Sequence, residues 1–355
     1  MKLTTTTIKK PREKKKYIFT VILSVSVALI TVMNFFPKNI SEKADNRDIQ
    51  KFREIVQANI YEEIPMHVID KYYDLIGIDA MLDVIEENPI CHLHGHNIGK
   101  AVYRRTQDLA ESFHICDDRC TTSCFHGVLM ERFHPDNGTH VTMEELKKVT
   151  YEICNEENSS HTVPPGSCMH GIGHAAMFLA DYNVQEAMTI CSIFNDSVEQ
   201  FQCATGAYME RDLYFGPEDA KKENFYPCED SEYPAACYMY RVKYLTGKNT
   251  GEEIAQKCLD IKDKDEEVGC FYGLGYAYLL DIMEDPQLIT SLCNYGTQED
   301  HLACIDGSVG TIGIVQPDKA KEICTYVPDD EFKHCLKAAE KGTKFVEPNP
   351  HMYPH

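Results

Sequence analysis

Cysteine spacing constrains the fold of this chain more than any other feature. Cys124, Cys168, Cys203, Cys237, Cys270, Cys304 and Cys335 each head a similar segment, at separations of 44, 35, 34, 33, 34 and 31 residues. The segments read "CFHGVLMERF", "CMHGIGHAAM", "CATGAYMERD", "CYMYRVKYLT", "CFYGLGYAYL", "CIDGSVGTIG" and "CLKAAEKGTK". Two share an ending, Met130-Glu131-Arg132 and Met209-Glu210-Arg211. An earlier copy, "CHLHGHNIGKAV", begins at Cys91 with its cysteine one place out of register. A period of about 34 residues predicts an all-α chain, with helical hairpins stacked into an α/α solenoid over residues 89–345.

Between these segments lies a second helix with its own start signals. Thr142 with Glu145, and Thr250 with Glu253, have capping-box spacing. Pro217, Pro286 and Pro317 are placed as first-turn prolines. Each second helix ends at a cysteine, and the next first helix opens 9 to 14 residues later at another. A short loop brings such a pair within the roughly 6 Å between Cα atoms that a bridge needs. The expected bridges are Cys154–Cys168, Cys191–Cys203, Cys228–Cys237, Cys258–Cys270, Cys293–Cys304 and Cys324–Cys335. By analogy Cys116 pairs with Cys124, which leaves Cys91 for Cys120. Each short loop so closed contributes about 2–3 kcal/mol by restricting the unfolded chain. The glycine at the fourth place (Gly127, Gly171, Gly206, Gly273, Gly307) lets neighbouring helices approach closely.

Paired helices of this length, the C-x-x-G-x-x-Y-like "CFYGLGYAYL" and a cysteine bridge between successive units resemble Sel1-like repeats. The secreted, cysteine-rich bacterial proteins of that class are the nearest type. The resemblance spans roughly residues 185–345. It departs from the family in its longer spacing between bridged cysteines and in keeping only part of the Gly and Ala pattern. It implies an α/α superhelix that serves as a binding scaffold, with a protein partner on its concave face. The histidine-rich units at 91–178 are not covered, so it implies nothing about them.

The first 36 residues differ from the rest. Lys9, Lys10, Arg12, Lys14, Lys15 and Lys16 precede "YIFTVILSVSVALITVMNFF", 20 residues (17–36) without a charge. That length suffices to span a bilayer, with the basic tail (1–16) held in the cytoplasm. No small-x-small cleavage site or lipid-accepting cysteine follows, so an uncleaved signal anchor is expected, with the bulk of the chain outside the cytoplasm. All 16 cysteines lie in that exported part, where disulfides persist. Asn39, Asn137, Asn158 and Asn195 each open a glycosylation sequon. Residues 37–88 read as a membrane-proximal helical cap, and 346–355 as a loose Pro-rich tail.

Net charge is −21, and it becomes about −27 once the seven basic and one acidic residue of the first 36 are set aside. Nucleic acid is therefore excluded as a partner, because a phosphate backbone needs a basic footprint.

Histidines crowd the N-terminal units. His92 and His96 are four apart, His170 and His174 are four apart, and His126 lies between the two pairs in sequence. Residues four apart share a helix face, so one helix can supply two ligands to one ion. His126 and His170 each lie two places after their cysteine. If the His-Gly pair sets the frame, His94 is the third equivalent. Stacked first helices then bring His92, His96, His126, His170 and His174 into one cluster that binds a transition metal. An imidazole-rich donor set suits copper, zinc or iron rather than calcium or magnesium. Glu131, five residues past His126, is a candidate carboxylate ligand or catalytic base. His94, His114, His134 and His140 read as ordinary core or surface groups, and Met130 and Met209 as core.

Three other readings stay open: a scaffold without metal whose histidines only pack, bis-histidine non-covalent haem, and a thiol-exchange protein. The last has no C-x-x-C to support it. Covalent haem is excluded because "CTTSCFH" is not C-x-x-C-H. No nucleophile elbow, phosphate loop or H-E-x-x-H motif is present.

Overall fold

The computed structural model describes residues 45–59, 63–88, 91–134, 141–154, 165–219, 225–229 and 231–341. The expected anchor at 17–36, the tail at 346–355 and His140 lie outside this set. No helix among the described residues is long and apolar enough to cross a membrane.

The described chain is all-helical, without a strand. It opens with α1 (Asn46–Ala58) and α2 (Met66–Glu86), then α3 (His92–Thr106), α4 (Leu109–Ile115), α5 (Ser123–Arg132) and α6 (Met143–Cys154). Next come α7 (Pro165–Leu179), α8 (Val184–Cys191), α9 (Ser197–Asp219), α10 (Pro234–Arg241), α11 (Gly251–Leu259) and α12 (Lys264–Ala277). Six short helices complete it: α13 (Leu279–Glu284), α14 (Leu288–Leu292), α15 (Gln298–Ile305), α16 (Thr311–Val315), α17 (Pro317–Cys324) and α18 (Asp329–Lys341).

Local chemistry explains most of these boundaries. Thr250 and Glu253 close a reciprocal capping box at α11, and Thr142 Oγ accepts from the Glu145 amide at α6. Pro317 occupies the first turn of α17, as its missing N–H permits. Pro217 does not start a helix. It lies in the last turn of α9, where only a bond to the Leu213 carbonyl is lost. In the cap, α2 bends at Gly77, whose φ of +76° a side chain would resist, and Phe52 meets Tyr72 with ring centroids 5.1 Å apart.

Eight disulfides staple the chain: Cys91–Cys120, Cys116–Cys124, Cys154–Cys168, Cys191–Cys203, Cys228–Cys237, Cys258–Cys270, Cys293–Cys304 and Cys324–Cys335. No free cysteine is left, so the thiol-exchange reading has no thiol to work with.

Helices α3, α5, α7, α9, α10 and α12 pack in that order, each against the next. Glycine sets the closest approaches. A Cβ on Gly127 of α5 would fall 1.9 Å from the His96 carbonyl oxygen, and one on Gly206 of α9 would fall 1.9 Å from that of His170. Reciprocally, a Cβ on Gly99 would meet the Cys124 oxygen at 1.9 Å, and one on Gly173 the Cys203 oxygen at 2.0 Å. Only bare backbone fits there. These matched contacts also fix the repeat frame. His96, and not His94, is the counterpart of His170, while Lys100 takes the place of His174. The expected frame fails because Cys91 lies three places ahead of the position its counterparts occupy.

Candidate metal centre

Three consecutive first helices bring five imidazoles together. Helix α3 supplies His92 and His96, α5 supplies His126, and α7 supplies His170 and His174. The ring centroids of neighbouring members lie 4.6–6.0 Å apart. Ligand-capable atoms of His92, His96, His126 and His174 all fall within 4.8 Å of one another. His170 joins through its Nε2, 3.2 Å from Nε2 of His174. His96, His126 and His174 are buried, and His92 is half-buried at the rim.

Hydrogen bonds around the cluster fix where the ring protons reside. The Cys120 carbonyl, 3.1 Å from His92 Nδ1, can only accept, so Nδ1 carries the proton. Thr121 Oγ1, 2.6 Å from the same nitrogen, gives its own hydrogen to the Cys120 oxygen and also accepts. Thr205 Oγ1 donates to the Gln202 carbonyl, so it accepts from His170 Nδ1 at 2.8 Å. His174 Nδ1 donates to Glu210 Oε2 at 2.9 Å. Thr122 Oγ1 donates to the Thr121 oxygen and accepts from His126 Nε2 at 3.3 Å.

With the protons so placed, each of these four rings directs its proton outward and presents a bare nitrogen inward. Bare Nε2 of His92 faces bare Nδ1 of His126 at 3.3 Å, and bare Nε2 of His170 faces bare Nε2 of His174 at 3.2 Å. Two lone pairs at that distance repel unless a proton or a metal ion lies between them. His96 adds two buried ring nitrogens with no partner. Protonation is disfavoured at four of the rings. Burial, together with the neighbouring rings, holds His92 down to about 4 and His96, His126 and His170 well below the ordinary imidazole value.

The spacing suits a metal ion. With metal–nitrogen bonds of about 2.0–2.1 Å, tetrahedral ligands lie roughly 3.4 Å apart and trans ligands about 4.2 Å apart. The observed contacts match the first figure, and the 4.8 Å envelope lies a few tenths of an ångström beyond the second. The outer acceptors are the kind that orient a ligating imidazole.

The backbone before α5 is shaped to deliver three of those acceptors. Cys120, Thr121 and Thr122 lie consecutively in the left-handed region, with φ of 53°, 54° and 62°. For residues with a Cβ this costs about 1–2 kcal/mol each. The turn is held between Cys91–Cys120 and Cys116–Cys124.

Glu131 is engaged elsewhere. Both of its oxygens bind Arg104, at 2.8 and 3.1 Å, and it is not in the ligand group. The carboxylate that touches the cluster is Glu210, whose place in the second Met-Glu-Arg matches that of Glu131 in the first. That repeat was the available signal, and it pointed two units too early. His94 is buried with both ring nitrogens unpartnered but lies outside the ligand group, and His114 is exposed. His134 stacks on Phe178, with centroids 5.3 Å apart. A cleft of about 1000 Å³ lined by Tyr182, Tyr208, Arg211, Phe215 and Tyr226 contains none of the five histidines. No family model, curated protein or solved structure matches this chain.

Proposed function

We propose that this is an exported, membrane-anchored helical-repeat protein whose N-terminal units bind one transition-metal ion through four or five imidazoles. One observation carries the reading: ligand-capable nitrogens of four histidines from three helices converge within 4.8 Å of one another, and both ring nitrogens of buried His96 are without a hydrogen-bond partner. A donor set of imidazoles, with a single carboxylate one bond further out, suits zinc, copper or iron. The 20-residue uncharged run, the eight bridges and the absence of free thiols support an anchored, extracytoplasmic location. The serial packing of first helices supports a solenoid, and the segment pattern at 185–345 supports a Sel1-like relationship.

Haem is the weaker ligand. Bis-histidine ligation needs a flat slot between two rings, whereas here the rings touch one another and the large cleft lies elsewhere. A scaffold with purely packed histidines would leave both ring nitrogens of buried His96 without a partner.

The test is elemental analysis of the full-length protein, purified with its disulfides formed, followed by titration with Zn²⁺ and Cu²⁺. Stoichiometric metal, lost in His174→Ala, is expected. A metal-free product unresponsive to either ion would leave the scaffold reading.

A further inference from the structure

The junctions between first helices are of two kinds. In the first, backbone touches backbone at glycine: α3 on α5 and α7 on α9 as described, then α10 on α12, where a Cβ on Gly273 would meet the Tyr238 oxygen at 2.4 Å. In the second kind, α5 on α7 and α9 on α10, such contact is missing. A Cβ on Gly171 of α7 would meet side chains of Leu129 and His126, and no backbone atom nearer than 3.5 Å. The three atoms nearest to one on Gly216 of α9 all belong to the Tyr244 side chain. No disulfide joins the chain up to Cys124 with the chain from Cys154 onward.

Buried polar groups fill both loose junctions. At α9/α10 the charges balance within the chain. Asp212, 5 % exposed, binds Lys243 Nζ at 3.0 Å just past α10, and the Tyr244 hydroxyl donates to the Asp212 carbonyl. At α5/α7 the polar groups are five imidazoles whose lone pairs converge. Their hydrogen-bond partners are threonine hydroxyls, the backbone of Cys120 and Ser167, Glu210 and one another, with no lysine or arginine among them. Among the described residues no lysine or arginine is hydrogen-bonded to the five rings as Lys243 is to Asp212, and Lys100 acts on His96 only through its charge.

We infer that the ion in the histidine cluster is a structural clamp, tying the glycine-packed pair α3/α5 to the glycine-packed pair α7/α9 as the Lys243–Asp212 ion pair ties α9 to α10. This rests on the metal-binding reading above. The geometry across the junction fits: His96 of α3 lies 4.8 Å from His174 of α7, and His126 of α5 lies 4.9 Å from His170 of α7, centroid to centroid. A central ion bonds to both sides at once. His92 and His170 are half-buried at the rim while His96, His126 and His174 lie beneath them, so most of the donor set is enclosed by the helices it ties together.

Hydrogen exchange followed by mass spectrometry on the full-length, disulfide-intact protein tests this, with zinc as the probe. Removing zinc with EDTA is expected to speed exchange of amides in Phe125–Arg132 and Met169–Phe178 about tenfold or more, with α12 unchanged. Zinc bound stoichiometrically but without effect on α5 and α7 would overturn the clamp and leave the metal reading standing. Zinc not retained at all would end both. As a second arm, Lys243→Met is expected to loosen α9 and α10 with zinc affinity unaltered. No loosening there would remove the parallel on which the clamp rests.

Discussion

Replacing Glu210 separates its role from that of Glu131. Glu210 Oε2 accepts from His174 Nδ1 at 2.9 Å, fixing the tautomer that leaves Nε2 bare, and its side chain is the carboxylate bound to a cluster imidazole. Glu210→Gln keeps an acceptor oxygen but loses the charge that offsets a buried cation. Glu210→Ala loses both and frees the ring to rotate. Outer partners of ligating imidazoles typically contribute 10–100-fold in metal affinity. We therefore expect about tenfold weaker zinc binding for Gln and about 100-fold for Ala, or roughly 1.4 and 2.7 kcal/mol. Competition against a chromophoric chelator measures the affinity, and far-UV circular dichroism checks that the helices persist. Glu131→Gln is the control. Its oxygens bind Arg104, so its zinc affinity should match wild type. Unchanged binding in both Glu210 variants, or a larger loss in Glu131→Gln, would refute the assignment.

Three further outcomes follow from the same geometry. In metal-free protein, burial holds His92 at about 4, below its ordinary value of 6.5, so the unfolded chain binds the extra proton. Stability should be full above pH 6.5 and fall between 6.5 and 4, by up to roughly 3 kcal/mol from His92 alone, and a flat profile in urea melts would contradict this. Gly127→Ala would drive a methyl to 1.9 Å from the His96 oxygen, so α3 and α5 must separate. A loss of about 2–3 kcal/mol is expected in denaturant unfolding, and a change under 0.5 kcal/mol would show the contact to be soft. Thr205→Val strands the His170 Nδ1 proton in a buried site, at an expected cost of about 1–3 kcal/mol, and a neutral effect would argue against the assigned tautomer.

Much of this was legible in the sequence because it depends on local spacing. Cysteines 8 to 14 residues apart at helix ends have few geometric alternatives, and the clustered histidines are carried on helices whose order follows from the period. What stayed hidden depends on which atoms meet across helices. Thr205 occupies the place of His170 in the next unit, yet nothing in its identity marks it as the acceptor of that ring's proton. The left-handed turn at 120–122 contains no glycine to announce it. The first unit misled because Cys91 does not occupy the place of the later cysteines, so the glycine contacts, and not the cysteine, define its frame. Glu131 and Glu210 share a motif, and only the packing of Arg104 tells them apart.

X-ray absorption at the metal edge of the zinc-loaded, full-length protein tests the central claim most directly. The account predicts a shell of four or five nitrogens at about 2.0–2.1 Å, with the outer-shell scattering of imidazole rings. A shell made mainly of oxygen or sulfur, or fewer than three imidazoles, would contradict it.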